Sequence, residues 1–90
     1  MNAEEKEDLR HACLSVLACR HPAALPVRAI RRKAADEVDF KIEDADVESA
    51  CQFLVGMTPP LARVAPDPLG STQYFVATPE GVLVIERGFK

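Results

Sequence analysis

Up to about residue 56 the apolar positions recur at intervals of three and four; beyond it they gather into short runs broken by turn residues. In "EEKEDLRHACLSVLACR" (4–20), Leu9, Ala12, Cys13, Val16 and Leu17 fall on one side of a helix. Acids crowd its first turns and Arg20 stands at its end, the order that the helix macrodipole favours. Pro22 and Pro26 then resist continuation. A second helix is predicted over about 27–38, with Val27, Ile30, Ala34 and Val38 inside and Arg28, Arg31, Arg32 and Lys33 mostly outside. "DFKI" (39–42) connects it to a third helix at about 44–56. There Val47, Ala50, Cys51 and Leu54 face inward, and Asp44 is the expected N-cap.

From Met57 the pattern changes period. "TPP" ends the helix, "LARVA" (61–65) reads as a strand, "PDPLGS" (66–71) is dense in turn residues, and "TQYFVA" (72–77) reads as the returning strand. A hairpin over about 61–77 follows. The last segment is open to two readings. Val82, Leu83, Val84 and Ile85 have strand propensity, yet Thr78 and Pro79 suit an N-cap and first helical position, and Gly88 suits a C-terminal cap. We assign a short helix to about 79–88. As a helix, four consecutive apolar residues span nearly a full turn, more than one domain face can bury. With Phe89 the surplus makes an apolar patch of the kind that marks a dimer or partner interface. The alternative is a strand or extended tail packed across the first helix.

Composition narrows this to one soluble α+β domain over residues 1–90. A chain of this size buries about 60–65% of its unfolded surface. With four Phe, one Tyr and no Trp, its core must be mainly aliphatic. Three cysteines and an acidic start, "MNAEEKED", argue against a disulfide scaffold and a signal peptide. No apolar run approaches the roughly 20 residues that span a bilayer. The expected setting is a reducing cytoplasm.

The order helix, extended spacer, helix, turn, helix, hairpin resembles the winged helix-turn-helix domain over nearly the whole chain. The pieces that carry the likeness are "VESACQFL" running into "PPLARVA", and "QYFVATPEG". The latter is similar to the Tyr-x-x-Thr-x-x-Gly ending of small bacterial winged-helix regulators, with one extra residue between Tyr74 and Thr78 before Gly81. The resemblance implies that 44–56 is the recognition helix, that 66–72 is the wing tip, and that the protein binds double-stranded DNA in transcription. Fold alone does not dictate function.

Charge argues against that implication. The net charge is −3, and the strongest acidic stretch follows directly on the basic one. Affinity for DNA rests on Lys and Arg neutralising phosphates, and the start of the recognition helix lies nearest the bases. Here that start offers Glu43, Asp44, Asp46 and Glu48. Each unpaired carboxylate near a phosphate is repelled by about 1 kcal/mol at about 4 Å in water, and by about four times that at a protein-like dielectric. One acid can read cytosine; four lacking an adjacent cation cannot all do so. Their structural role is to complement the helix dipole and cap free N–H groups; as a surface, Glu43, Asp44, Asp46 and Glu48 are the candidate acidic interaction face for a protein partner. Arg28, Arg31, Arg32, Lys33 and Arg63 are the candidate phosphate or acidic-partner patch, with Ser49 and Gln52 nearest the bases. Equally, those cations can be a solvated face that pairs with Asp36, Glu37 or the third helix.

No residue set amounts to an enzyme signature. Cys13 and Cys19 lie six apart, about 240° around a helix, and cannot share a ligand sphere. Cys13 and Cys51 suit the core, while His11 and His21 suit the surface or a helix end. Neither zinc-type spacing nor a phosphate loop is present. No cofactor, metal or small-molecule ligand is indicated. The expectation is a non-enzymatic binding module for a protein partner or a second copy of itself, with DNA-binding transcriptional regulation as the alternative.

Overall fold

The computed structural model describes residues 1–67, 69–70 and 73–88. Helix α1 (Ala3–Arg20) opens with a reciprocal cap: the Asn2 side chain accepts from the Glu5 N–H at 2.8 Å, and the Glu5 carboxylate accepts from the Asn2 N–H at 3.2 Å. Leu9, Ala12, Cys13, Leu14, Val16 and Leu17 are buried along it. That arc is wider than the expected stripe because α1 is the central post. The α2 (Val27–Ala34), α3 (Asp44–Val55) and α4 (Pro79–Arg87) helices all pack on it, as does the sheet.

Two expectations about helix ends are corrected. The second helix ends at Ala34 and not near Val38. Arg31, Arg32 and Lys33 fill its last turn, where cations complement the dipole, and Asp36 and Glu37 beyond them oppose it. The chain tightens there into a turn, with the Glu37 N–H donating to Ala34 O at 2.9 Å. At the third helix the N-cap is Glu43, not Asp44. The Asp46 carboxylate reaches back to accept from the Glu43 N–H at 2.9 Å, which places the helix boundary one residue earlier and leaves the Asp44 side chain free of the capping role.

Strands β1 (Leu25–Pro26), β2 (Ala62–Ala65) and β3 (Tyr74–Ala77) form an antiparallel sheet in the order β1-β3-β2. Strands β2 (Ala62–Ala65) and β3 (Tyr74–Ala77) are the expected hairpin, with Val64 opposite Phe75. The connecting tip falls partly outside the described residues, at Pro68, Ser71 and Thr72. The sequence did not announce β1 (Leu25–Pro26), which pairs Leu25 with Phe75 and Pro26 with Tyr74. Pro26 is tolerated because β1 is an edge strand. Phe75, on central β3, is fully buried among Leu9, Leu14, Leu17, Ile30 and Leu54, so the core is mainly aliphatic as composition required.

The final segment is helical, as assigned. The Thr78 hydroxyl accepts from the Gly81 N–H at 3.1 Å and donates to the Pro60 carbonyl at 2.7 Å, while the Thr78 N–H donates to Leu61 O at 3.1 Å. Gly81 is buried against Leu61, where a Cβ would stand 2.1 Å from the carbonyl oxygen. The Thr78–Gly81 spacing is therefore a docking device that seats α4 on the loop before β2. Gly88 closes the helix at φ +89°, a backbone region that favours glycine. No helix among the described residues is long and apolar enough to cross a membrane.

Candidate functional site

Burial of Val47, Ala50, Cys51 and Leu54 fixes how α3 faces outward. The opposite stripe, Ala45, Glu48, Ser49, Gln52 and Phe53, is exposed at helical spacing. It carries one carboxylate and no cation.

The four acids that the sequence placed on this helix turn out to have different positions. Asp46 is half-buried and caps the helix start. Asp44 accepts from the Arg31 guanidinium Nε. Glu43 lies 3.8 Å from Lys41 Nζ, a contact between two well-exposed groups that water screens. Glu48 projects from the exposed stripe. The cations are divided as well. Arg31 bridges to α3, whereas Arg28, Arg32 and Lys33 are exposed on α2 and form no ion pair among the described residues. Arg63 is exposed on β2, the edge of the sheet opposite to β1, from which α2 departs. Ser49 is exposed, and the Gln52 side-chain amide donates to Gln73 Oε1 at 3.3 Å, tying α3 to the residue before β3.

Phe53 was missed as a site residue. It is 47% exposed, and the Arg10 guanidinium of α1 lies over its ring at 3.6 Å from the centroid. That is cation–π geometry, with one ring face covered and the remainder open to solvent. An aromatic off the inward stripe of an amphipathic helix was the available signal. Met57, also exposed, follows four positions later.

The C-terminal apolar run is divided by the helix. Val82, Val84 and Ile85 are half-buried against the core, and Leu83 is 43% exposed. Phe89, the remaining member of that predicted patch, lies outside the described residues. An open groove of about 600 Å³ runs between the loop before β2 and α4. Met57, Pro59 and Leu61 line one side, and Glu80, Leu83, Val84 and Arg87 the other.

Cys13 and Cys51 are buried, as expected from their inward positions, and Cys19 is exposed. A hydrogen bond with the Cys51 thiol, and then burial, push the Cys13 thiol well above its ordinary pKa. His11 and His21 are exposed. Among the described residues no group of three or more His, Cys, Asp or Glu is placed to hold a metal ion. Comparison with known proteins returns no match to a family model, a curated protein or a solved structure.

Proposed function

We propose that this α+β domain is a non-enzymatic winged-helix binding module that recognises a protein partner, with the outward face of α3 as its main contact surface. The winged-helix reading is supported by a short strand between α1 and α2 that pairs with the return strand of the hairpin, in the order β1-β3-β2. The observation that carries the functional reading is the exposed α3 stripe. It presents Glu48, Ser49, Gln52 and a half-exposed Phe53 and has no cation of its own, and the guanidinium beside it, that of Arg10, lies over the Phe53 ring, whereas a groove-reading helix needs positive potential along its length. Arg31, the basic residue bonded to α3, is occupied by Asp44. An aromatic ring braced by an arginine, on one exposed stripe with Ser49 and Gln52, suits a protein interface, whose anchors are enriched in aromatic residues and Arg.

One observation favours the alternative, a DNA-binding transcriptional regulator: Arg28, Arg32 and Lys33 stand exposed together on α2. Titration of a generic duplex at about 50 mM and 200 mM salt separates the two. The expected result is binding no tighter than about 10⁻⁴ M, indifferent to charge reversal at Arg28, Arg32 and Lys33. Micromolar or tighter binding that falls steeply with salt and is lost in the charge-reversed variant overturns the proposal. The positive arm uses the wild type and Phe53→Asp as paired baits. A protein retained by the first, lost by the second, and bound again when both proteins are purified supports the α3 surface.

A further inference from the structure

Glu80, Leu83, Val84 and Arg87 lie at intervals of three, one and three on α4, so they form one stripe along the helix. All four line the groove beside the loop before β2. The stripe is acidic at its N-terminal end, apolar at its centre and basic at its C-terminal end. Neither Glu80 nor Arg87 forms an ion pair among the described residues.

That order is self-complementary under a two-fold axis. If a second α4 lies antiparallel across the first, with the axis between Leu83 and Val84, each Glu80 faces Arg87 of the other copy. Leu83 of each copy then faces Val84 of the other. The seven-residue separation of the charges is about 10.5 Å along a helix, so both pairs form at once. A parallel arrangement instead sets acid against acid and base against base. Exposed Met57, with Pro59, extends the apolar centre of the groove on either side of the axis.

We propose that α4 is a self-association helix, through which two copies of this chain form an antiparallel, two-fold dimer by Glu80–Arg87 pairs flanking a Leu83/Val84 centre. This rests on the reading of the domain as a protein-binding module and names one of its partners. A helix of nine residues buries little surface, so the interface belongs to the weak class, below or near about 1,000 Å² in total. The dimer is expected to dissociate at tens to hundreds of micromolar, an order-of-magnitude figure for an interface of this size.

The test is sedimentation equilibrium of the full chain from about 10 µM to 1 mM, the range bracketing that affinity. A monomer–dimer equilibrium is expected for the wild type. Glu80→Lys and Arg87→Glu each set like charges together at both ends of the dimer and should weaken it about tenfold or more. Leu83→Glu should abolish it. The decisive arm mixes Glu80→Lys with Arg87→Glu. Each alone associates with itself more weakly than the wild type, but together every 80–87 contact is again between opposite charges, so the mixture should dimerise about as tightly as the wild type. All three positions are exposed, and circular dichroism checks that each variant folds.

Monomer alone at 1 mM, a dimer indifferent to the charge reversals, or a mixture that stays monomeric overturns the proposal. A monomer that still captures a protein through Phe53 overturns the dimer and leaves the binding-module reading standing. A dimer that passes the mixing arm but binds DNA tightly does the reverse.

Discussion

Replacing Gly81 by alanine tests how α4 is seated. In an open helix the change would add about 0.5–1 kcal/mol of stability, because alanine has less freedom to lose. Here the new methyl would stand 2.1 Å from the Leu61 carbonyl oxygen and 3.0 Å from Leu14 Cδ1. The first obstacle is backbone, and that oxygen also accepts from the Thr78 N–H at 3.1 Å, so it cannot retreat without loosening the cap of α4. Forcing extra volume into a packed site costs about 1–3 kcal/mol, and a weakened buried hydrogen bond adds about 1 kcal/mol. Set against the helix gain, the net loss is about 2 kcal/mol. For a domain of this size that lowers Tm by about 8–16 °C. Urea denaturation followed by circular dichroism measures it, with Gly56→Ala as the control. At Gly56 the nearest atoms to a new Cβ are at 3.6 and 3.7 Å and φ is −82°, so alanine there should be neutral or stabilise by up to about 1 kcal/mol. Should Gly81→Ala prove as stable as the wild type, or the two variants shift alike, the close contact with Leu61 is not what holds α4.

Three further outcomes follow from the core and the cap. The raised pKa of Cys13 gives stability that is fully present below the unfolded value near 9.0 and falls as pH rises above it, since only the unfolded thiol then releases its proton. The decline is up to about 1.4 kcal/mol per pH unit; denaturation at pH 8 to 10.5 should show a steeper fall for the wild type than for Cys13→Ala, and equal slopes refute the assignment. Thiol titration under native conditions should modify Cys19 quickly, with Cys13 and Cys51 reacting only on unfolding, because both are buried; fast reaction of all three would contradict the packing of α1 on α3. Thr78→Val removes the helix cap and the bond to the Pro60 carbonyl together and should cost about 1–2 kcal/mol by denaturation, whereas Thr78→Ser should cost less than about 1 kcal/mol because it keeps the hydroxyl.

Much of the architecture could be read from spacing because it is local. The inward stripes of α1 and α3 are set by helical period alone, and Thr78 with Pro79 marks a helix start whatever surrounds it. That signal outweighed the strand propensity of Val82–Ile85, since a capped helix lets Val82, Val84 and Ile85 reach the core while Leu83 stays outside. Features made by partners distant in sequence were not legible. Leu25–Pro26 is a strand only because β3 supplies its hydrogen bonds. Whether Asp44 caps its own helix or binds Arg31 depends on how α2 crosses α3. The same holds for the site: charge located the acidic helix start, but the Arg10–Phe53 contact joins α1 to α3 and has no sequence period.

The two proposed surfaces are mechanically linked through one short run of backbone. Leu61 donates its N–H to Leu54 O at 3.1 Å, near the end of α3, and accepts at its own carbonyl from Thr78 at the start of α4. Phe53 sits beside Leu54, and Met57 and Pro59 lie on the loop that the first of these bonds closes. Displacing Leu61 therefore disturbs the end of the α3 face and the α4 groove together, while changes at exposed Phe53 or Arg87 touch one surface each. Partner capture and self-association should then respond independently to Phe53→Asp and Arg87→Glu, but jointly to Gly81→Ala. Loss of both activities in either exposed-site variant would mean that a single surface serves both, and that α4 is no separate interface.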